Sequence, residues 1–170
     1  MAMRRFKYKP VMKSIVCIII VAAAILMVLL WARSSKLSKA SVQAVLDSVD
    51  KALLEKDAAA VIANFASNAF ITATIVDHGT PSTTHYENSK DYGNVLKDSF
   101  GAFSDYTIMR TNVAINISLG GKTAEATSTI IETFTFGGNA EKSVTHESTT
   151  LEVIDSKVAI TKEHDDVKVD

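Results

Sequence analysis

Glu147 and His164 are the two side chains of this sequence best suited by type to pass a proton, provided that the strands carrying them lie side by side. A carboxylate beside an imidazole raises the imidazole pKa and makes an acid–base pair. Glu132 is a second carboxyl of the same kind, and Lys162 sits two positions before His164. A competing reading of these residues is a cross-strand charge pair at a wet sheet margin, which does no chemistry. Asp77, His78, His85 and Tyr86 form another polar cluster, in a segment rich in turn formers. That cluster suits either a pocket lid with an acid–base pair or a plain solvated turn built on Asp77 and Gly79. Spacing fixes no metal geometry there, and neither metal nor cofactor is expected.

The elements that must position these groups follow from periodicity. Ser41 reads as an N-cap, with Val42, Val45, Leu46, Val49, Ala52 and Leu53 at helical spacing after it. Asp57 caps a second short helix over 58–65, and the β-branched run 69–76 reads as a strand. Residues 77–88 form a loop with a short strand at 83–86. A third helix over 89–103 places Tyr92, Leu96, Phe100 and Phe103 on one face, with Gly93 and Gly101 weakening it. Strands at 106–119, 122–136, 141–154 and 157–169 complete an α+β order.

Turn lengths set a register. With two-residue loops at Gly120-Gly121 and Asp155-Ser156 and a four-residue loop at 137–140, Ile117, Ala124, Val153 and Val158 share one row. Ile115, Ala126, Leu151 and Ile160 form the next, and both rows are wholly apolar. Further along the same face come Val113, Ser128, Thr149 and Lys162, then Thr111, Ile130, Glu147 and His164, then Met109, Glu132 and Thr145. Arg110, Asn112, Asn116, Glu125, Thr127, Thr129, Thr133 and Glu152 fall on the opposite, solvated face. A β-bulge would break this register.

Leu53 to Ile71 (LLEKDAAAVIANFASNAFI), the aromatic third helix and the closing meander resemble the nuclear-transport-factor-2-like superfamily over roughly residues 41–166. This is the cone fold of ketosteroid isomerase, scytalone dehydratase and the SnoaL-type cyclases. The resemblance implies a curved antiparallel sheet under three N-terminal helices, with a pocket at the open end of the cone. Tyr92, Phe100, Ser128, Thr149 and Lys162 become its lining, and Glu147, His164 and Glu132 its candidate catalytic groups. Filling of the cone by Phe65, Phe70, Phe100 and Phe103 would count against catalysis. The family's isomerase residues are missing: Thr72 or Ala73 stands where the general-base Asp lies, and the first helix has no Tyr.

Ile15 to Ala32 is an unbroken apolar run that spans about 27 Å as a helix, close to the thickness of a bilayer core. Residues 1–14 are then a basic cytoplasmic tail, 15–32 a transmembrane signal anchor, 33–40 a linker and 41–170 an extracytoplasmic domain. The alternative is a cleaved signal peptide and a secreted domain. The first 39 residues carry eight basic and no acidic residues, which leaves 10 basic against 19 acidic in the rest. An acidic domain of this kind excludes nucleic acid as the partner. The only cysteine is Cys17, so the domain can form no disulfide and no thiolate site. A membrane-tethered domain that binds a small apolar ligand or an envelope protein, and pairs as a homodimer through its sheet face, is the expected function. Its layout is similar to that of the bitopic scaffold subunit of type IV secretion. The alternative is an isomerase, dehydratase or cyclase working through Glu147 with His164, or through Glu132.

Overall fold

The computed structural model describes residues 36–77 and 79–169. The apolar run at 15–32, the tail before it and His78 lie outside the described residues. Among the described residues no helix is long and apolar enough to cross a membrane.

Helix α1 spans Lys39–Leu54. Its N-cap is Ser38, whose Oγ accepts from the Ser41 N–H at 3.1 Å while the Ser38 N–H donates to Ser41 Oγ at 2.9 Å. Ser41 is therefore the third residue of a capping box, and the helix starts earlier than the apolar period alone indicates. Leu37 is buried and its N–H donates to the Gly121 carbonyl, so core packing begins before the helix. Val42, Val45, Leu46, Val49 and Ala52 make the buried stripe. Helix α2, Ala58–Ile62, is a single turn capped by Asp57, which accepts from the Ala60 N–H at 3.0 Å. Helix α3, Ser89–Ala102, is capped by Asn88. Gly93 earns its place by proximity: a Cβ there would lie 2.8 Å from Ile62 Cγ1, so a bare backbone lets α3 close on α2.

Six strands follow: β1 Phe65–Asp77, β2 Thr80–Tyr86, β3 Phe103–Ile117, β4 Thr123–Phe136, β5 Asn139–Ile154 and β6 Lys157–Val169. They form one sheet in the order β2-β1-β6-β5-β4-β3, antiparallel except where β1 runs parallel to β6. The stretch expected as a loop at 77–88 is largely the edge strand β2. The main core fills the space between the helices and one sheet face, with Leu46, Val61, Ile71, Leu151 and Ile160 fully buried.

Near the turns the expected pairings within β3–β4 and within β5–β6 are present, but the four-strand rows are not. Ile117 pairs with Ala124, Ile115 with Ala126, Leu151 with Ile160 and Val153 with Val158. Between β4 and β5 the pairing is displaced by two residues, because Phe136 pairs with Asn139 around a Gly137-Gly138 loop. Both glycines have positive φ, as the commonest two-residue hairpin turn requires. A displacement by two preserves the faces; a displacement by one does not. Three bulges supply such single-residue displacements. In β3 one extra residue lies between Ser104 and Thr107, with Asp105 at φ 50°, and another between Thr111 and Ala114, with Asn112 at φ 54°. In β6 the extra residue is Thr161, since Leu151 pairs with Ile160 but Thr150 with Lys162. Beyond each bulge, inside and outside exchange.

The candidate functional site

The β3 bulge at Asn112 corrects the placement of Arg110 and Met109. Arg110, expected on the solvated face, turns inward with its side chain 4% exposed, while Met109 and Val113 face outward. The β6 bulge does the same to the candidate site residues of that strand. Lys162 and His164 lie on the outer face, where His164 Nε2 is 3.5 Å from Asp166 Oδ1 and both side chains are exposed. His164 is paired with Ser148 in the ladder and does not meet Glu147. Glu163 and Asp165 take the inward positions instead, opposite Thr149 and Glu147.

Between the helices and this face lies a cavity of about 250 Å³. Its aromatic wall includes Phe65, Tyr86, Tyr92, Phe100, Phe103 and Tyr106, which line the space and leave it open. Phe70 is not among them; it is 44% exposed and stacks on His85 with ring centroids 5.9 Å apart. Tyr92 meets Tyr86 at 5.4 Å and Phe65 at 5.8 Å, so the rings brace one another. Glu132, Glu147, Glu163 and Asp165 supply the carboxyls of the lining.

Arg110 stands behind these acids and anchors part of them. Its Nε and Nη2 donate to Asp50 on α1 at 2.8–3.0 Å, and Nη1 donates to Ser128 Oγ at 2.6 Å and to Glu147. Ser128 and Thr149 each donate a hydroxyl to Glu147 Oε1 at 3.2 Å. These two residues, expected in the lining, thus hold Glu147 in place from buried positions. Burial alone would lower the guanidinium pKa, but Asp50 and Glu147 outweigh it and the net shift is upward. Glu132 accepts from the Tyr106 hydroxyl and from Ser143 Oγ, the latter at 2.8 Å. Burial, then the Glu132 charge, pushes the Tyr106 phenol up, and burial followed by Glu163 and Asp165 does the same to Tyr92. Both phenols stay neutral, and Tyr106 donates to Glu132.

Among the described residues no salt bridge joins Glu163 or Asp165 to a cation. Burial is the first cause that raises both; for Glu163 the Asp165 charge adds to it, and for Asp165 the Glu147 charge does. Asp165 is pushed up to about 8, although a hydrogen bond from Glu163 works the other way. The pair therefore retains a proton near neutrality. The Oδ1 of Asp165 is buried and has no hydrogen-bond partner. An acceptor in that state costs about 1–3 kcal/mol.

Of the remaining expected groups, Ala73 faces the cavity, whereas Thr72 Oγ1 turns to His85 Nδ1 at 3.1 Å. Among the described residues no three His, Cys, Asp or Glu side chains gather as metal ligands. Sequence reasoning missed Arg110, Asp50, Tyr106, Glu163 and Asp165. The signal for the last two was present: beyond Ile160, Lys162, His164, Asp166 and Lys168 alternate with Glu163, Asp165, Val167 and Val169, and only the second set ends apolar.

No family model matches the sequence, and no curated protein matches it significantly. Solved structures do match. The hexachlorocyclohexane dehydrochlorinase LinA-type3 of Novosphingobium barchaimii superposes with a TM-score of 0.60 at 10% identity, over 75% of this chain and 84% of that one. A ketosteroid isomerase-like protein of Erwinia carotovora atroseptica gives 0.57 at 15% identity, over 75% and 94%. A protein of Nostoc punctiforme with a cystatin-like fold gives 0.58 at 12%, over 78% and 90%. At such identities the likeness is one of fold, and this fold hosts many activities. The described domain has the nuclear-transport-factor-2-like cone fold.

Proposed function

We propose that the domain binds a small molecule with a largely apolar body inside the cone, and that residues 15–32 hold it at the outer face of a membrane. The observation that carries the ligand-binding reading is the cavity itself: an open, aromatic-walled space with a buried, unpartnered carboxyl oxygen on its lining. Few convergent polar groups in an apolar pocket are what small-ligand sites present. The volume lies just below the range of about 300–1,000 Å³ usual for drug-sized ligands, so the ligand is small. Thermal melting of the full-length chain against a panel of small amphiphiles tests this, because a ligand selective for the folded state raises the melting temperature. A panel without any shift contradicts ligand binding and leaves a protein-interaction role. The tether is supported by the length and purity of the apolar run and by its basic flanks. Alkaline carbonate extraction should leave the chain with the membrane, and release into the soluble fraction would contradict an anchor.

A second reading, an enzyme of isomerase, dehydratase or cyclase type, is favoured by one observation. Asp165 is pushed into the pH range where a carboxyl both gives and takes protons. The pair Glu163 and Asp165 replaces Glu147 and His164 as the acid–base candidate. Solvent deuterium appearing at a carbon of a bound ligand would support this reading, and its absence from every ligand found would leave binding alone.

A further inference from the structure

We propose that the cavity recognises a small organic cation, a protonated or quaternary amine on an apolar body, with Asp165 and Glu163 as its charge partners and the aromatic wall as its housing. This rests on the ligand-binding reading above and names the ligand's class.

The charge balance of the lining is one-sided. Four carboxyls face the space, and among the described residues no Lys, Arg or His side chain does. Arg110 is committed: Nε, Nη1 and Nη2 all donate to Asp50, Glu147 or Ser128. Lys56, near the aromatic end, donates its Nζ to the Phe103 carbonyl. An anionic ligand would meet uncompensated like charge, which costs several kcal/mol at a desolvated contact. A cation meets the opposite: an unpartnered acceptor at Asp165 Oδ1 and the aromatic rings of Tyr86, Tyr92 and Phe100 in the lining. Aromatic faces attract ammonium groups by about 0.5–2 kcal/mol, more as water is excluded.

The groups around Asp165 also dictate how such binding responds to pH. Glu147 faces it from β5, Glu132 from β4, and Tyr106 and Arg110 stand on β3. Glu163 shares its own strand, Tyr92 comes from α3, and Asp50 on α1 acts through Arg110. The adjacent β1 contributes Ala73 and Ile75, which do not titrate. Without a cation the Glu163–Asp165 pair keeps a proton. Entry of a cation favours the ionised form and expels that proton. Affinity for a permanent cation should then rise up to tenfold per pH unit below about 8 and level off above it.

Isothermal titration of the full-length chain with benzyltrimethylammonium, benzyl alcohol and benzoate, at pH 6, 7 and 8 and in two buffers of different protonation enthalpy, tests the proposal. The expected result is that the cation binds at least tenfold more tightly than the alcohol at pH 8, that benzoate does not bind, and that close to one proton leaves per cation at pH 7. Asp165→Asn should remove the proton release and weaken the cation at least tenfold at pH 8. Glu163→Gln should do the same in lesser degree, and His164→Ala, on the outer face, should change nothing. Equal binding of alcohol and cation without proton release overturns the cation assignment and keeps the ligand-binding reading. Cation binding indifferent to both carboxyl substitutions also overturns the assignment. Failure of all three probes counts against both.

Discussion

Asp165 and Glu147 sit directly opposite each other in the β5–β6 ladder, and both side chains line the cavity. Two acids facing each other across a sheet repel, and on a covered face the repulsion is weakly screened. The fold offsets only half of this arrangement. Glu147 receives Arg110, Ser128 and Thr149, whereas Asp165 receives Glu163, a carboxyl that must stay protonated to donate. Conformational stability is thereby given up at one spot on the lining, which is the usual mark of a site kept for a ligand.

That relationship makes stability fall with alkalinity. A carboxyl whose pKa rises on folding, here from 3.8 to about 8, binds more protons in the folded state between those values. Its contribution is fully present below about pH 4 and is lost as pH rises through about 8, at up to about 1.4 kcal/mol per unit. Urea denaturation at pH 5, 7 and 8.5 should show the decline in the native chain. Asp165→Asn should flatten it and be the more stable protein at pH 8.5.

Removing the guanidinium should have the opposite character. Arg110→Met leaves Asp50 and Glu147 without their shared cation, and an orphaned buried charge costs about 3–5 kcal/mol. Denaturation at pH 7 should show that loss.

The two glycines of α3 should respond with opposite signs. Gly101→Ala meets open space and should stabilise by about 0.5–1 kcal/mol through helix propensity. Gly93→Ala drives a methyl group to 2.8 Å from Ile62 Cγ1 and should destabilise by about 1–3 kcal/mol despite the same propensity gain. Paired melting curves decide this.

His164→Ala should leave stability within about 0.5 kcal/mol, since its ring is exposed and so is its partner Asp166. A large loss would mean that His164 is covered, as it would be if it faced inward.

How much of this was legible depends on what a period can carry. The stripe of α1 and the apolar pairings beside the Gly120-Gly121 and Asp155-Ser156 turns were readable, because burial repeats there without interruption. The two-residue displacement at Gly137-Gly138 did no harm, since it returns each side chain to the same face. Asn112 and Thr161 were the obstacle. A single inserted residue leaves the alternation intact on both sides and only shifts its phase, so extrapolation from the apolar end put Lys162 and His164 where Glu163 and Asp165 belong. Counting back from Val167 and Val169 would have recovered the true phase of β6. Nothing local marks Arg110: its partners Asp50 and Glu147 are 60 and 37 residues away in sequence, and only the fold joins them.

The β6 bulge turns Asp165 into a covered acidic cavity, where it shares a proton with Glu163. Carbon-13 NMR titration of the aspartate carboxyls in the full-length chain, with Asp165→Asn to assign the resonance, measures this directly. The Asp165 carboxyl should titrate near 8. Titration near 4, the range of a solvated aspartate, would contradict it.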